Sequence, residues 1–298
     1  MLRVTRDKRV PLFERYRVLT PVVEVDPGTT LVVETINHMT PIVRSEADVH
    51  PFGSPEYRER EETGPIFVRG AAPGEALAVH IEEIELVGLP HAHCGGPLSG
   101  HFPLRPQAFP IADGQCALTR DLRIPLRPMV GDIYTTPAGP EPVGFDHGGN
   151  MDCTEVRPGN TLFLPVYHEG GLLVLGDVHA FQGDGEIAGE GGECAADVTI
   201  TVGIDRRYRH PRPLVETPDS LITLAGRGDL FDGITLAVQD MTDLLARAYA
   251  LEARDAYTFC TMVGSLQFAG CMARRELVER NALVALSVPK ALLPLGPR

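Results

Sequence analysis

Between residues 144 and 193 the chain carries Asp146, His147, Asp152, His168, Asp177, His179, Asp184, Glu186, Glu190 and Glu193 among glycines and short strand-forming runs. Carboxylates and imidazoles are the side chains that bind divalent cations and move protons near neutral pH. The most informative run is GGLLVLGDVHAFQGDGE. Residues 172–175 read as a buried strand, and Gly176 admits a close approach of backbone to another group. Asp177 and His179, two apart, fall on one face of an extended segment. Gly183-Asp184-Gly185 predicts a tight turn that folds Asp184 and Glu186 back beside them. A carboxylate and an imidazole at alternate positions, with further acids one turn away, suit a hard or borderline metal ion. Asp and Gly also fill surface hairpins for turn chemistry alone, so a solvated hairpin is the competing reading.

These residues need a scaffold, and the rest of the chain supplies many short strands. Strand signals recur at residues 30–35, 66–68, 76–86, 161–166, 172–175 and 197–202. In DVTITV, Val198, Ile200 and Val202 share one face; in ALAVHIEEIEL, Leu77, Val79 and Ile81 point inward while His80 and Glu82 point outward. Such alternation predicts half-buried antiparallel strands, as in a sandwich. Val238, Met241, Leu244, Leu245, Ala248 and Leu251 recur at helical spacing, and a shorter helix over 255–263 ends at Gly264. NALVALSVPK alternates again. The predicted fold is mainly β: an antiparallel β-sandwich-like framework with a small α+β C-terminal portion. The β-rich part covers residues 1–205; residues 206–298 form a helical hairpin and final strands packed on the same core. Residues 88–119, rich in Pro and Gly, read as a long loop that shapes a pocket, with His91, His93 and His101 solvated rather than ligating. The acid run within 45–62 reads as a solvated surface excursion.

Composition narrows the function classes. The 298 residues, 43% of them hydrophobic, suffice for one large domain or two modest ones with a sizeable core. No apolar run reaches membrane-spanning length. A net charge of −13 disfavours nucleic acid and anionic membrane surfaces as partners. The charged start MLRVTRDKRVPLFERYRV lacks an apolar secretory core, and the six cysteines form no C-x-x-C pair. Both features predict a cytoplasmic protein with free thiols. Cys153 and Cys194 lie nearest the candidate site, with no dedicated base beside either, and read as inert structural thiols.

The segments TGPIFVRGAAPGEALAVHIEEIE, HGGNMD, TLFLPV and GDVHAFQGDGE closely resemble the acetamidase/formamidase family of metal-dependent amidases. VDPGTTLVVET, DAYTFCTMVGSL and LSVPKALL fall in the family's order, so the resemblance covers nearly the whole chain. It implies a hydrolase that cleaves short-chain aliphatic amides to carboxylate and ammonia, with a small amide as substrate and a homo-oligomeric assembly, a dimer or higher. Amide hydrolysis needs an activated water, stabilisation of an oxyanion and a proton for the departing ammonia. Within the matching motifs, His147, Asp177 and His179 are assigned as metal ligands, with Asp152 close behind. Glu186 is assigned as general base, with Asp184 as the alternative, and Asn150 as a hydrogen-bonding partner of the substrate. Gly148 and Gly149 would let backbone N–H groups line the pocket, and the resemblance also implies that His38, at the end of the run Glu34-Thr35-Ile36-Asn37-His38, could face it. Zinc suits the mixed His/Asp set, whereas an all-oxygen set would suit calcium. Lys8 and Lys290 are the only lysines, so a lysine-dependent amidase mechanism has little support. Two alternatives stay open: a related C–N hydrolase for a larger amide or a lactam, and a non-catalytic β-sandwich that binds a ligand and uses calcium as a staple.

Overall fold

The computed structural model describes residues 1–11, 14–37, 42–50, 61–92, 98, 100–101, 107–139, 144–270 and 282–294. His38 and His93 lie outside them. The first strands are β1 (Leu2–Val4), β2 (Arg9–Pro11), β3 (Val23–Val25), β4 (Thr29–Glu34) and β5 (Glu61–Val68), followed by the long β6 (Ala76–Ala92). Four short strands come next: β7 (Gln107–Ala108), β8 (Ile111–Ala112), β9 (Gln115–Ala117) and β10 (Arg123–Pro125). The middle of the chain gives β11 (Met129–Thr135), β12 (Gly148–Asn150), β13 (Thr161–Pro165), β14 (Leu173–His179) and β15 (Glu193–Asp205). It ends with β16 (Leu214–Glu216), β17 (Ser220–Arg227), helices α1 (Leu230–Tyr249) and α2 (Ala253–Val263), then β18 (Ser265–Gly270) and β19 (Ala282–Pro289).

The fold is mainly antiparallel β, as the alternating runs predict. Sixteen strands join one sheet, whose main path runs β12-β11-β14-β15-β6-β13-β16-β17-β19-β18, and β8 to β10 form a separate small sheet. The sheet branches at β14 and β15. One edge of β14 meets β11; the other meets β5 at Leu173 and Leu175 and then β15 at Val178 and His179. β15 pairs with β6 along its length and with β4 from Asp197 to Val202. β14 changes partners between Leu175 and Val178, and the candidate site lies at that change.

Alternation decides which faces are buried. Leu77, Val79 and Ile81 of β6 and Val198, Ile200 and Val202 of β15 are all fully buried, in one core shared with β4, β5, β11, β13, β14 and β17. Each such side chain contributes about 1.5–3 kcal/mol through removal of apolar area from water. His80 is half-exposed and bonds Thr161 Oγ1 through Nδ1 at 3.0 Å.

The expected helix over 238–251 starts earlier, at Leu230, because Asp229 caps it by accepting from the N–H groups of Phe231 and Asp232. Its Ala237, Met241, Leu244, Leu245 and Ala248 pack within the chain on Leu214, Leu221, Ala225, Val284 and Leu286. α2 ends at Val263, just before Gly264. Among the described residues no helix is long and apolar enough to cross a membrane.

Two expectations need correction. The stretch 88–119 is not one long loop: β6 runs on to Ala92, and β7 to β9 follow. Pairing with β15 extends β6, and His91, expected to be solvated, is fully buried opposite Glu193. The acid run within 45–62 is not wholly a solvated face either. Glu62 belongs to β5 and is buried, because its stem lies over Gly176 of β14, where a Cβ would come within 3.0 Å of Glu62 Cγ.

Candidate active site

β14 brings Asp177 and His179 together, though not by simple alternation. Asp177 has φ 54°, and the pairing with β11 passes from Gly176 opposite Asp132 to Val178 opposite Val130. The strand is therefore kinked at Asp177. His179 Nε2 still lies 3.6 Å from Asp177 Oδ1, with both side chains buried. Across the hairpin, His179 pairs directly with Glu193 of β15, and Nε2 lies 3.2 Å from Glu193 Oε2.

Asp152 approaches from the segment after β12. A Cβ placed on Gly131 of β11 would lie 2.7 Å from Asp152 Oδ1 and 3.1 Å from Asp177 Oδ2, so both carboxylates converge over the bare glycine. Asn150 Nδ2 donates to Asp152 Oδ2 at 2.9 Å and orients it. Glu186, in the β14–β15 connection, is buried and joins the same cluster. Two groups of potential ligand atoms result, Asp152–His179–Glu186 and Asp177–His179–Glu193, each with its atoms within 4.8 Å of one another. His179 belongs to both.

The imidazole has a defined orientation. Gln182 Nε2 donates to the Asp152 carbonyl oxygen at 2.6 Å, and a carbonyl can only accept. Gln182 Oε1 must then face His179 Nδ1, at 2.5 Å, and that nitrogen must carry the proton. Nε2 is left aimed among the acids, within ion-pair distance of two carboxylates and without a hydrogen bond of acceptable geometry. A hydrogen bond to the far nitrogen of a metal-binding histidine is the usual means of fixing its tautomer. Burial opposes charge on His179, but Glu193 and Asp177 outweigh it and hold its pKa well above the ordinary value.

Backbone conformation marks the same place. Asp152, Asp177 and Glu186 have φ of 47°, 54° and 42°, a region non-glycine residues seldom occupy. Such conformations persist where the surroundings over-determine them, and they gather at functional sites.

Other acids and histidines stand apart. Asp184 is exposed and accepts from Thr154 Oγ1 at 2.7 Å. Asp146 is held by Arg227 through two hydrogen bonds at 2.8 and 3.0 Å. His168 Nε2 bonds the Pro137 carbonyl, and His101 is exposed. His147 is buried but joins neither cation group. It lies edge-on to Tyr16 and Tyr134, and burial, helped by the Arg15 charge, lowers its pKa to about 3. Burial pushes the Cys153 and Cys194 thiols up to about 12.

Glu193 is the residue that sequence reasoning named among the acids but gave no role. Val178 opposite Cys194 and His179 opposite Glu193 centre the hairpin on Glu186, beyond the Gly183-Asp184-Gly185 turn. With that centre, Glu193 is the cross-strand partner of His179. Asn37 Nδ2 holds the Glu193 carbonyl at 3.1 Å and His91 Nδ1 at 3.0 Å, which brings His91 against the site from behind.

Comparison with known proteins bears on the family and the fold. The Acetamidase/Formamidase family profile matches residues 135–217. A predicted acetamidase/formamidase from the thermophile Thermoanaerobacter tengcongensis is 30% identical and superposes with a TM-score of 0.83, over 97% of this chain and 94% of that one. The chain belongs to the acetamidase/formamidase family. An acetamidase from Bacillus halodurans is another member of similar shape, 29% identical over 97% of both chains with a TM-score of 0.81. The family likeness extends to a formamidase of Methylophilus methylotrophus, 45% identical over 60 residues. That segment spans 20% of this chain and 15% of the formamidase.

Proposed function

We propose that the chain is a metal-dependent amidohydrolase that cleaves short-chain aliphatic amides, of the formamide and acetamide type, to a carboxylate and ammonia. What supports this reading is the gathering of four buried acids about one buried histidine, with Nε2 of His179 within ion-pair distance of Asp177 and Glu193. Asp152, Asp177, Glu186 and Glu193 about one imidazole form a donor set of the kind that would hold a divalent cation. Asp177, His179 and Glu193, with Asp152 beside them, are the residues that would hold it. One imidazole among carboxylates suits zinc; an ion held by the oxygens alone would be calcium.

Such an ion would supply Lewis acidity, polarising the amide carbonyl and acidifying a water. The chain's own residues do the rest. Glu186 takes the proton from the attacking water and returns it to the departing amine, the double duty of a general base then acid. Gln182 fixes the His179 ring. Asn150 fixes Asp152 through Nδ2, which leaves its Oδ1 directed elsewhere and available to the substrate amide. Cys153 and Cys194, kept as thiols by burial, take no nucleophilic part.

His179→Ala and Glu186→Gln test the reading together. The first should lose both bound metal and ammonia release. The second keeps size and hydrogen-bonding capacity, and should keep the metal while turnover falls about 10²-fold or more. If Glu186→Gln strips the metal, Glu186 is a ligand and the proposed division of roles fails.

A further inference from the structure

At the strand pair β11–β12 and the residue just before β12, three buried polar groups have no hydrogen-bond partner among the described residues. They are both ring nitrogens of His147, the Tyr134 hydroxyl and Asn150 Oδ1. A buried unpaired donor or acceptor is costly, and each one in a native structure has a reason. The three lie close together. Tyr134 is opposite Gly148 and Asp132 opposite Asn150 in the β11–β12 register, and the His147 and Tyr134 rings are 5.8 Å apart. A Cβ on Gly149 would sit 3.4 Å from His147 Nε2 and 3.7 Å from an Arg15 guanidinium nitrogen. Arg15 also bonds Asp132 Oδ2 at 2.9 Å and lies over the Tyr16 and Tyr134 rings. Asn150 connects this strip to the cation site through Asp152.

We propose that His147 and the Tyr134 hydroxyl are substrate-binding residues, which hold the polar group of a neutral amide beside the proposed metal site. This rests on the amidohydrolase reading, and it departs from the expectation that His147 is a metal ligand. Arg15 argues against a cation at His147: a guanidinium within reach of the ring repels a second positive charge. A neutral amide carries one acceptor and up to two donors, which the hydroxyl, the imidazole and Asn150 Oδ1 complement. No charged ligand is needed, because Arg15 is already neutralised by Asp132.

The variants are His147→Phe and Tyr134→Phe, each keeping a ring of similar shape between the same neighbours. Removing a partnerless buried polar atom should leave the melting temperature unchanged or higher. The bound metal should stay, and KM for acetamide should rise about tenfold or more. A structural hydrogen-bonding role predicts a lower melting temperature instead, and a ligand role predicts metal loss from His147→Phe; either outcome overturns the proposal. A second readout does not need turnover. In the Glu186→Gln protein labelled with ¹⁵N-histidine, the His147 ring signals should shift on titration with acetamide. Unshifted signals with unchanged KM would refute substrate contact. Absence of ammonia release from the unsubstituted protein would instead refute the amidohydrolase reading.

Discussion

Gly131→Ala is the substitution whose effect follows most directly from the geometry of the site. The added methyl would lie 2.7 Å from Asp152 Oδ1, 2.8 Å from the Asp177 carbonyl oxygen and 3.1 Å from Asp177 Oδ2. One of these atoms is backbone and the other two belong to the acids proposed to hold the ion, so relief requires the carboxylates to retreat. Overpacking of this kind costs about 1–3 kcal/mol. If the cost falls on the ion, affinity weakens about tenfold for each 1.4 kcal/mol. If it falls on the fold, the melting temperature drops by about 2–4 °C per kcal/mol. Gly203→Ala is the matched control, since a Cβ there meets nothing closer than 3.9 Å in the same sheet. Zinc competition against a chromophoric chelator, with thermal melts in the presence and absence of EDTA, separates the two effects. The expected result is weaker zinc binding in Gly131→Ala and no change in Gly203→Ala. Gly131→Ala with the affinity and melting temperature of the unsubstituted protein would refute the convergence of Asp152 and Asp177 on one ion.

Chelation should destabilise the protein by mass action: an ion at 100 times its Kd contributes about 2.7 kcal/mol, so EDTA should lower the melting temperature and added zinc restore it. Cys153 and Cys194, with pKa values pushed up to about 12 by burial, should resist iodoacetamide at pH 8 in the folded protein, checked by mass spectrometry of the alkylated chain. His147, lowered to about 3 by burial and Arg15, should show no titration of its ring proton by NMR between about pH 4 and 8. The unfolded chain takes up that proton near pH 6.5 and the folded chain does not, so this group's contribution to stability is present above pH 6.5 and shrinks as pH falls towards 3. If the homo-oligomer that the family resemblance implies forms, light scattering should give a mass above the 32.3 kDa of one chain, and a mass near 32.3 kDa at micromolar concentration would reject it.

Much of the fold was legible because burial follows alternation. DVTITV and ALAVHIEEIEL present Val198, Ile200, Val202, Leu77, Val79 and Ile81 to one core, and periodicity alone identifies those faces. The branching of the sheet was not legible, because no local pattern states that β14 leaves β5 for β15 part-way along. The site divides in the same manner. The spacing of Asp177 and His179 pointed to a shared location, yet the kink at Asp177 and the hairpin centre at Glu186 depend on long-range pairing. Those two features bring in Glu193 and leave Asp184 on the surface. His91 reads as solvated for a similar reason: its burial comes from pairing with β15, while its own segment reads as a Pro- and Gly-rich loop.

The central claim, that an ion held around His179 drives amide cleavage, is tested most directly on one preparation assayed before metal removal, after chelation and after reloading. Ammonia release from formamide and acetamide should be measured at each stage beside the metal content. The account predicts release in the metal-replete protein, loss on stripping and recovery on reloading with zinc, in proportion to the zinc bound. Unchanged release from fully stripped protein would contradict it.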